Sequence, residues 1–183
     1  IGDHLKRVGL DGEALDSVVP SMYRLKYEIK GEPLISILIP NKDHVSDLRK
    51  CIVSIQEKTS YPNYEIIVIE NNSEEEKTFQ YYQLLEKRRN IRVVCWNGKF
   101  NYSAINNFGY TFAKGEYILL LNNDTEVISA DWLQEMLMYA QRGDVGAVGA
   151  KLYYPDNTVQ HGGVVLGVGG VAAHLHCNRQ KED

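Results

Sequence analysis

At 183 residues, 44% hydrophobic and 24% charged, the chain has the size and composition of one soluble domain with a real core. A formal net charge of −4 gives no electrostatic reason to expect nucleic acid or an anionic membrane as partner. No apolar run approaches the roughly 20 residues that a bilayer span requires, and the longest candidate, 162–173, is short and holds five glycines.

The cysteines Cys51, Cys95 and Cys177 are odd in number and widely spaced, which fits neither a disulfide framework nor a zinc cluster. Free thiols in a reducing cytoplasm, with Cys51 and Cys95 in the core, are expected. The chain opens on Ile1 and closes on the charged run Arg179 to Asp183, so it reads as a fragment of a longer polypeptide.

Residues 1–32 are mixed and weakly periodic. Val18, Val19, Met22 and Leu25 sketch a short amphipathic helix that Pro20 interrupts, so this stretch is expected to be a linker or arm. Organisation begins at Pro33. Leu34 to Ile39 reads as a buried strand stopped by Pro40, followed by the polar loop Asn41-Lys42-Asp43-His44. A helix of about 14 residues follows, with Leu48, Ile52 and Ile55 on one face and Tyr61-Pro62 closing it. Tyr64 to Ile69 is a second strand, ending in Glu70-Asn71-Asn72-Ser73. Glu74 to Arg89 reads as a helix with an acidic first turn and a basic last turn, in accord with the helix dipole.

Ile91 to Trp96 is a third strand. Asn101 or Ser103 opens a helix through Lys114, with Gly115 as its stop. Tyr117 to Leu121 is an unbroken apolar run with the composition of a strand buried on both faces, and it ends abruptly in Asn122-Asn123-Asp124. Ser129 is placed to cap a helix from Ala130 to Arg142 whose buried face holds Leu133, Met136, Leu137 and Ala140. Val145 to Leu152 reads as a further strand, and the glycine-rich tail carries His161, His174 and His176. Strand and helix alternate at short loop lengths, which predicts a doubly wound α/β layer with a mainly parallel sheet flanked by helices.

Three strands end in acidic or amide clusters: Asn41 to Asp43, Glu70 to Ser73, and Asn122 to Asp124. Each alone is an ordinary turn composition. On one edge of a parallel sheet they converge on one crevice, where α/β proteins bind ligands. Neither G-x-G-x-x-G nor G-x-x-x-x-G-K-[ST] follows the first strand, so a dinucleotide-dependent dehydrogenase is not expected. Carboxylate and amide oxygens suit a hard cation, Mg2+ or Mn2+. One Asp holds such an ion weakly, so phosphate oxygens of a ligand are needed to complete its shell. That combination points to a nucleoside diphosphate carrying a group to be transferred.

The run Asn107-x-Gly109-x-x-x-Ala113-x-Gly115-Glu116-Tyr117-x-x-x-Leu121-Asn122-x-Asp124 resembles the signature of family 2 glycosyltransferases with the GT-A fold. Ser36 to Pro40 with Asn41-Lys42-Asp43 is similar to their opening strand and loop, and Val68 to Ser73 to their V-x-[DE]-[DN]-x-S stretch. The resemblance covers residues 33–176, the nucleotide-sugar-binding part of a GT-A domain, with 177–183 as a tail.

It implies a pocket for the nucleoside base lined by Pro40, Asp43 and Glu70, the two acids accepting hydrogen bonds from the base. It matches Asn122-Asn123-Asp124 to the family's D-x-D metal motif, with Asp124 reaching the cation and Asn122 beside it. Asn122 departs from the acidic form, which lowers the charge of the site. Asn101 and Asn107 belong to the same edge, Asn107 either orienting the loop beneath Gly109 or packing its helix.

The implied activity is the donor half of a metal-dependent, inverting transfer from a nucleoside-diphosphate sugar, UDP-linked, to a glycan or lipid-linked acceptor in cell-surface polysaccharide synthesis. The implied setting is cytoplasmic, at the inner face of the membrane. None of Glu126, Asp131, Glu135, Asp144, Asp156, Glu182 or Asp183 matches the family's catalytic base, which is expected beyond residue 183, leaving this fragment inactive on its own. His161 and His174 are lesser candidates for donor or metal contact. Two other functions fit the same fold: a sugar nucleotidyltransferase, disfavoured by the glycine-free loop after the first strand, and a module that kept the fold and lost the chemistry.

Overall fold

The computed structural model describes residues 1–17, 19–167, 171–174 and 177–180. The chain divides into two compact units, 1–135 and 136–183. The first is built on a parallel sheet of β3 (Ile35–Asn41), β4 (Tyr64–Glu70), β5 (Ile91–Cys95) and β6 (Tyr117–Leu120), in the order β5-β4-β3-β6. Helices α2 (Val45–Lys58), α3 (Glu76–Leu85) and α4 (Tyr102–Tyr110) are the crossovers, and α5 (Trp132–Ala140) follows β6.

This strand order means that the chain steps outward through β3, β4 and β5, then crosses back to β6. Right-handed crossovers therefore place α2 and α3 on one face and α4 on the other. The α4 face buries Leu38, Ile67, Ile69, Val94 and Ile105, with Trp96, Phe108, Phe112 and Ile118 packed against them. By strand alternation Ile37, Ile39, Ile66 and Val68 point to the opposite face, and all four are fully buried. Each such side chain contributes about 1.5–3 kcal/mol of burial.

Pro40 does not stop its strand. β3 continues to Asn41, in register with Glu70 of β4. Leu38 O accepts from Leu121 N and Asn41 O accepts from Asn71 N, so Leu38 and Pro40 turn their backbone groups toward β6. The ladder with β6 ends at Leu38–Leu120, and the missing N–H of Pro40 falls where no partner remains.

Several expectations need correction. Tyr117 to Leu121 is not a strand buried on both faces: among the described residues β6 pairs only with β3, only Leu119 is buried, and Leu120 is half exposed. The doubly buried strands are β3 and β4. Gly115 is no helix stop, because α4 already ends at Tyr110. A Cβ on Gly115 would lie 2.6 Å from both Leu34 O and Ser36 N, so its role is close approach to β3. α3 is shorter than expected, and Lys87 to Arg89 lie beyond its last turn. Ser129 lies outside the helix and accepts from Trp132 N through its carbonyl; Leu133, Leu137 and Met138 are buried in α5, while Met136 and Ala140 are only partly covered. Cys51 is buried as expected, but Cys95 is exposed, as is Cys177.

Residues 2–27 hold structure of their own: α1 (Gly2–Arg7) and an antiparallel hairpin of β1 (Gly12–Asp16) and β2 (Tyr23–Tyr27). Leu25 lies in β2 opposite Ala14, not on a helix. Pro20 and Ser21, the latter at φ 67°, form a turn closed by Met22 N on Val19 O, with proline second and a positive-φ residue third. Leu5 and Tyr27 are buried there.

In the second unit the expected strand over 145–152 is absent; Gly146 and Gly149 interrupt it, and only Leu152-Tyr153 (β7) pairs, with β8 (Val159–His161). β9 (Val164–Leu166) and β10 (Ala172–His174) form a second antiparallel pair.

Candidate active site

The sheet reverses its strand order between β3 and β6, and the carboxyl ends of strands flanking such a switch point form a binding crevice. Asn41 ends β3 there, and Asn122-Asn123-Asp124 follows β6. The Asn123 side-chain N–H donates to Asn41 Oδ1 at 2.6 Å, across the switch point. Residues 82 positions apart in sequence are thereby joined.

From Asn41 the contacts continue along the rim. Asn41 is 2% exposed, and its Nδ2 donates to Asp43 O at 3.0 Å and to the Tyr82 hydroxyl at 2.7 Å. Tyr82, on α3, donates to Glu70 Oε2 at 2.8 Å. Burial pushes the Tyr82 hydroxyl far above the ordinary tyrosine range, with bonds from Ser73 and Asn41 opposing this and Glu70 reinforcing it, so it stays a donor to the carboxylate. Glu70 also receives the Ser73 N–H at 2.6 Å and the Ser73 hydroxyl. The loop after β5 is tied in by Asn71 and Asn72, whose side chains donate to Gly98 O at 3.0 and 2.9 Å.

Asp43 and His44 both adopt left-handed backbone conformations, at φ 50° and 47°. Such residues cost of order 1–3 kcal/mol each unless the surroundings hold them. Here Ser73 Oγ accepts the Asp43 N–H at 2.9 Å, and Asp43 Oδ1 accepts the N–H groups of Glu74 and Glu75, both at 2.9 Å. Desolvation pushes the Asp43 carboxyl up, but the two backbone donors, with Lys42 and His44 nearby, outweigh it and hold the carboxyl below its ordinary value of 3.8. A depressed native pKa gives stability that is fully present above the unfolded value and is lost as pH falls through the native one. Asp43→Asn is therefore expected to melt below the unmodified chain at neutral pH, with the gap closing in acid below pH 3.8; thermal melts across that range check it.

The loop after β6 rests on α2. Asn122 O accepts the Thr125 hydroxyl at 2.8 Å and lies 3.8 Å from Cys51 Sγ, and Val127 N donates to Ser54 Oγ at 3.0 Å. Burial raises the Cys51 thiol to about 11, with Asp124 and Glu126 adding to it and Thr125 opposing, so it remains a neutral support under the loop. Asn122 and Asp124 are exposed, and among the described residues neither side chain makes a hydrogen bond or ion pair. The loop thus anchors its middle residue and presents the two that flank it.

The structure brings together Pro40, Asp43, Glu70 and Asn122 to Asp124. Asn101 stands apart as the N-cap of α4, its Oδ1 accepting from Ala104 N at 2.9 Å. Asn107 is exposed on α4 and joins none of these bonds; the buried amide is Asn106, which donates to Tyr102 O at 2.9 Å. His161 lies in β8 and His174 in β10, both in the second unit; His176 lies outside the described residues. Glu70, for which the resemblance implies hydrogen bonds from a base, is 6% exposed and directs its carboxylate to internal donors. Asp43 Oδ2 carries no hydrogen bond among the described residues. Tyr82 was not visible as a site residue in the sequence: it is buried in α3 with Thr78, Tyr81 and Leu85, and only the hydroxyl's position shows its second role.

The family profile described as glycosyl transferase family 2 matches residues 36–165. The chain belongs to this family. Its relatives in glycosyl transferase family 2 include the O-antigen biosynthesis protein RfbC of Myxococcus xanthus, 44% identical over 176 residues, and the uncharacterized protein y4gI of Sinorhizobium fredii, 46% identical over 178. Each comparison covers 95% of this chain, which spans only 14% of the first relative and 19% of the second. The fold is that of a GT-A glycosyltransferase: the mannosyltransferase PcManGT of Pyrobaculum calidifontis, solved with GDP-Man and Mn2+, superposes with a TM-score of 0.60 at 17% identity, over 69% of this chain and 37% of that one.

Among the described residues of this family 2 chain no group of three or more His, Cys, Asp or Glu is arranged to hold a metal ion. The donor chemistry at the rim, one unpartnered carboxylate and one unpartnered amide, fits a hard cation only where a ligand's phosphate oxygens supply the rest of the shell. Among the described residues no helix is long and apolar enough to cross a membrane.

Proposed function

We propose that the rim at the β3–β6 switch point is the donor site of an inverting glycosyltransferase that moves a sugar from a nucleoside diphosphate to a glycan or lipid-linked acceptor. The observation that carries this is the pairing of a fixed, hydrogen-bonded floor (Asn41, Asp43, Glu70, Tyr82) with two unpartnered side chains, Asn122 and Asp124, beside it. Pro40 and Asp43 line the nucleoside end, with Asp43 Oδ2 as acceptor for a base N–H, and Glu70 holds the Asp43–Ser73 turn in place. Asp124, with Asn122, would hold Mn2+ or Mg2+ on the diphosphate.

The cation supplies neutralisation of the charge that develops on the leaving diphosphate. The residues of this chain would bind and orient the donor: a floor already held by internal hydrogen bonds needs little ordering when the nucleoside diphosphate binds. The base that takes the acceptor's proton is not assigned to any residue described here. O-antigen synthesis in the Myxococcus relative and the GDP-Man and Mn2+ of the Pyrobaculum complex support this function.

The test is a thermal-shift series with UDP, GDP, ADP, CDP and dTDP, each with and without Mn2+. One diphosphate, UDP by expectation, raises the melting temperature only when the cation is present. A well-folded sample that none of the five shifts contradicts the proposal. Tighter binding of a triphosphate than of the diphosphate would point instead to nucleotidyl transfer.

A further inference from the structure

We infer that the Asn41–Asn123 amide pair is a positioning clasp: it carries no donor contact itself but sets where Asp124 stands relative to the nucleoside floor. This rests on the donor-site function proposed above. The Asn41 Nδ2 lies 3.0 Å from Asp43 O. A backbone carbonyl only accepts, so the Asn41 amide has one workable orientation, with Nδ2 toward Asp43 O and the Tyr82 hydroxyl and Oδ1 toward Asn123. Residue 123 must then present a donor, which Asn does and Asp at neutral pH does not.

The same orientation is enforced from the far side. Tyr82 gives its only proton to Glu70 and so accepts from Asn41. The chain Asn123 to Asn41 to Tyr82 to Glu70 therefore runs in one direction, each group donating to the next, and it joins the loop after β6 to the last residues of β3 and β4 by way of α3. Asn41 at 2% and Glu70 at 6% exposure keep it away from competing water, where such chains are stronger than their separate bonds. The neighbours of Asn123 in the chain, Asn122 and Asp124, have no hydrogen-bond anchor for their side chains among the described residues. Their position follows that of Asn123 and of the Asn122 carbonyl, which Thr125 and Cys51 meet.

The test is a double-mutant cycle on the whole chain with Asn41→Ala, Asn123→Ala and the double variant, read in two ways. Melting without ligand reports the clasp itself: the losses of the two single variants do not add in the double variant, as expected for directly bonded partners. Calorimetry then compares UDP with Mn2+ against uridine alone. Asn123→Ala is expected to weaken UDP with Mn2+ about tenfold, roughly what one lost hydrogen bond gives, and several times more than it weakens uridine. Additive melting losses overturn the clasp. Coupled melting with equal weakening of uridine and UDP overturns its positioning role. If the unmodified chain binds neither UDP nor uridine while melting remains coupled, the donor-site proposal fails and the positioning role with it, but the amide pair stands as a structural link. Should Asn41→Ala not fold, Tyr82→Phe, which removes the hydroxyl between Asn41 and Glu70, replaces it in the cycle.

Discussion

Asp124→Ala is expected to abolish the Mn2+-dependent stabilisation by UDP while leaving the unliganded chain's melting temperature nearly unchanged. A ligand at about 100 times its Kd adds about 2.7 kcal/mol of stability. For a chain of this size that is a rise of about 5–10 °C in melting temperature. Asp124 is the only carboxylate of the Asn122 to Asp124 loop, and Asn122 offers a neutral oxygen that a divalent ion binds far more weakly. Removing Asp124 leaves the cation with no anionic protein ligand in that loop, and the diphosphate's charge then faces the rim unneutralised. The side chain makes no hydrogen bond or ion pair among the described residues and is exposed, so its loss costs the fold little. A large fall in unliganded stability would show that Asp124 is a turn residue rather than a ligand.

The second large effect is on the fold. Gly115→Ala is expected to destabilise the chain by about 3 kcal/mol, the upper end for forcing a methyl into a packed site. The added Cβ would sit 2.6 Å from Leu34 O, 2.6 Å from Ser36 N and 2.8 Å from Ser36 Oγ. Two of these atoms are backbone, Ser36 N within β3 and Leu34 O just before it, and β3 is held between β4 and β6 and cannot yield. The chain at Gly115 would have to move away, breaking Gly115 N to Ser36 Oγ at 2.9 Å and straining Lys114 N to Glu65 Oε1 at 2.7 Å. Gly109→Ala is expected to be milder: its Cβ would meet Ile69 Cδ1 at 2.2 Å and Cγ1 at 2.9 Å, both side-chain atoms, so no backbone has to move. Denaturant titrations of the two variants order them; equal midpoints would show that the β3 backbone does yield.

β3, β4 and α2 were legible in the sequence because their signals are local: unbroken apolar runs for the strands, and Leu48, Ile52 and Ile55 at helical spacing. Tyr117 to Leu120 carries the same local signal yet forms a sheet edge among the described residues, since an apolar run does not say how many neighbours a strand has. That the three polar strand ends share one rim was legible, because a parallel sheet places all carboxyl ends on one edge. The division of labour within that rim was not. Asn123 and Asn122 are the same residue type side by side, and only the 2.6 Å bond to Asn41 shows which faces inward. Asn106 and Asn107 repeat the lesson on α4, where helix phase buries the first and exposes the second. The N-terminal hairpin escaped notice because its exposed strands alternate weakly.

The central claim is that the loops after β3, β4 and β6 surround one cation and the diphosphate it grips. Its most direct test is paramagnetic broadening by Mn2+ in NMR spectra of the chain, recorded with and without UDP. With UDP present, the amide signals of Asn41, Asp43 and Asn122 to Asp124 are expected to broaden first, while those of Arg88 to Arg92, at the start of β5, stay sharp. Broadening that spares Asn122 to Asp124, or that begins at the amino ends of the strands, would contradict it.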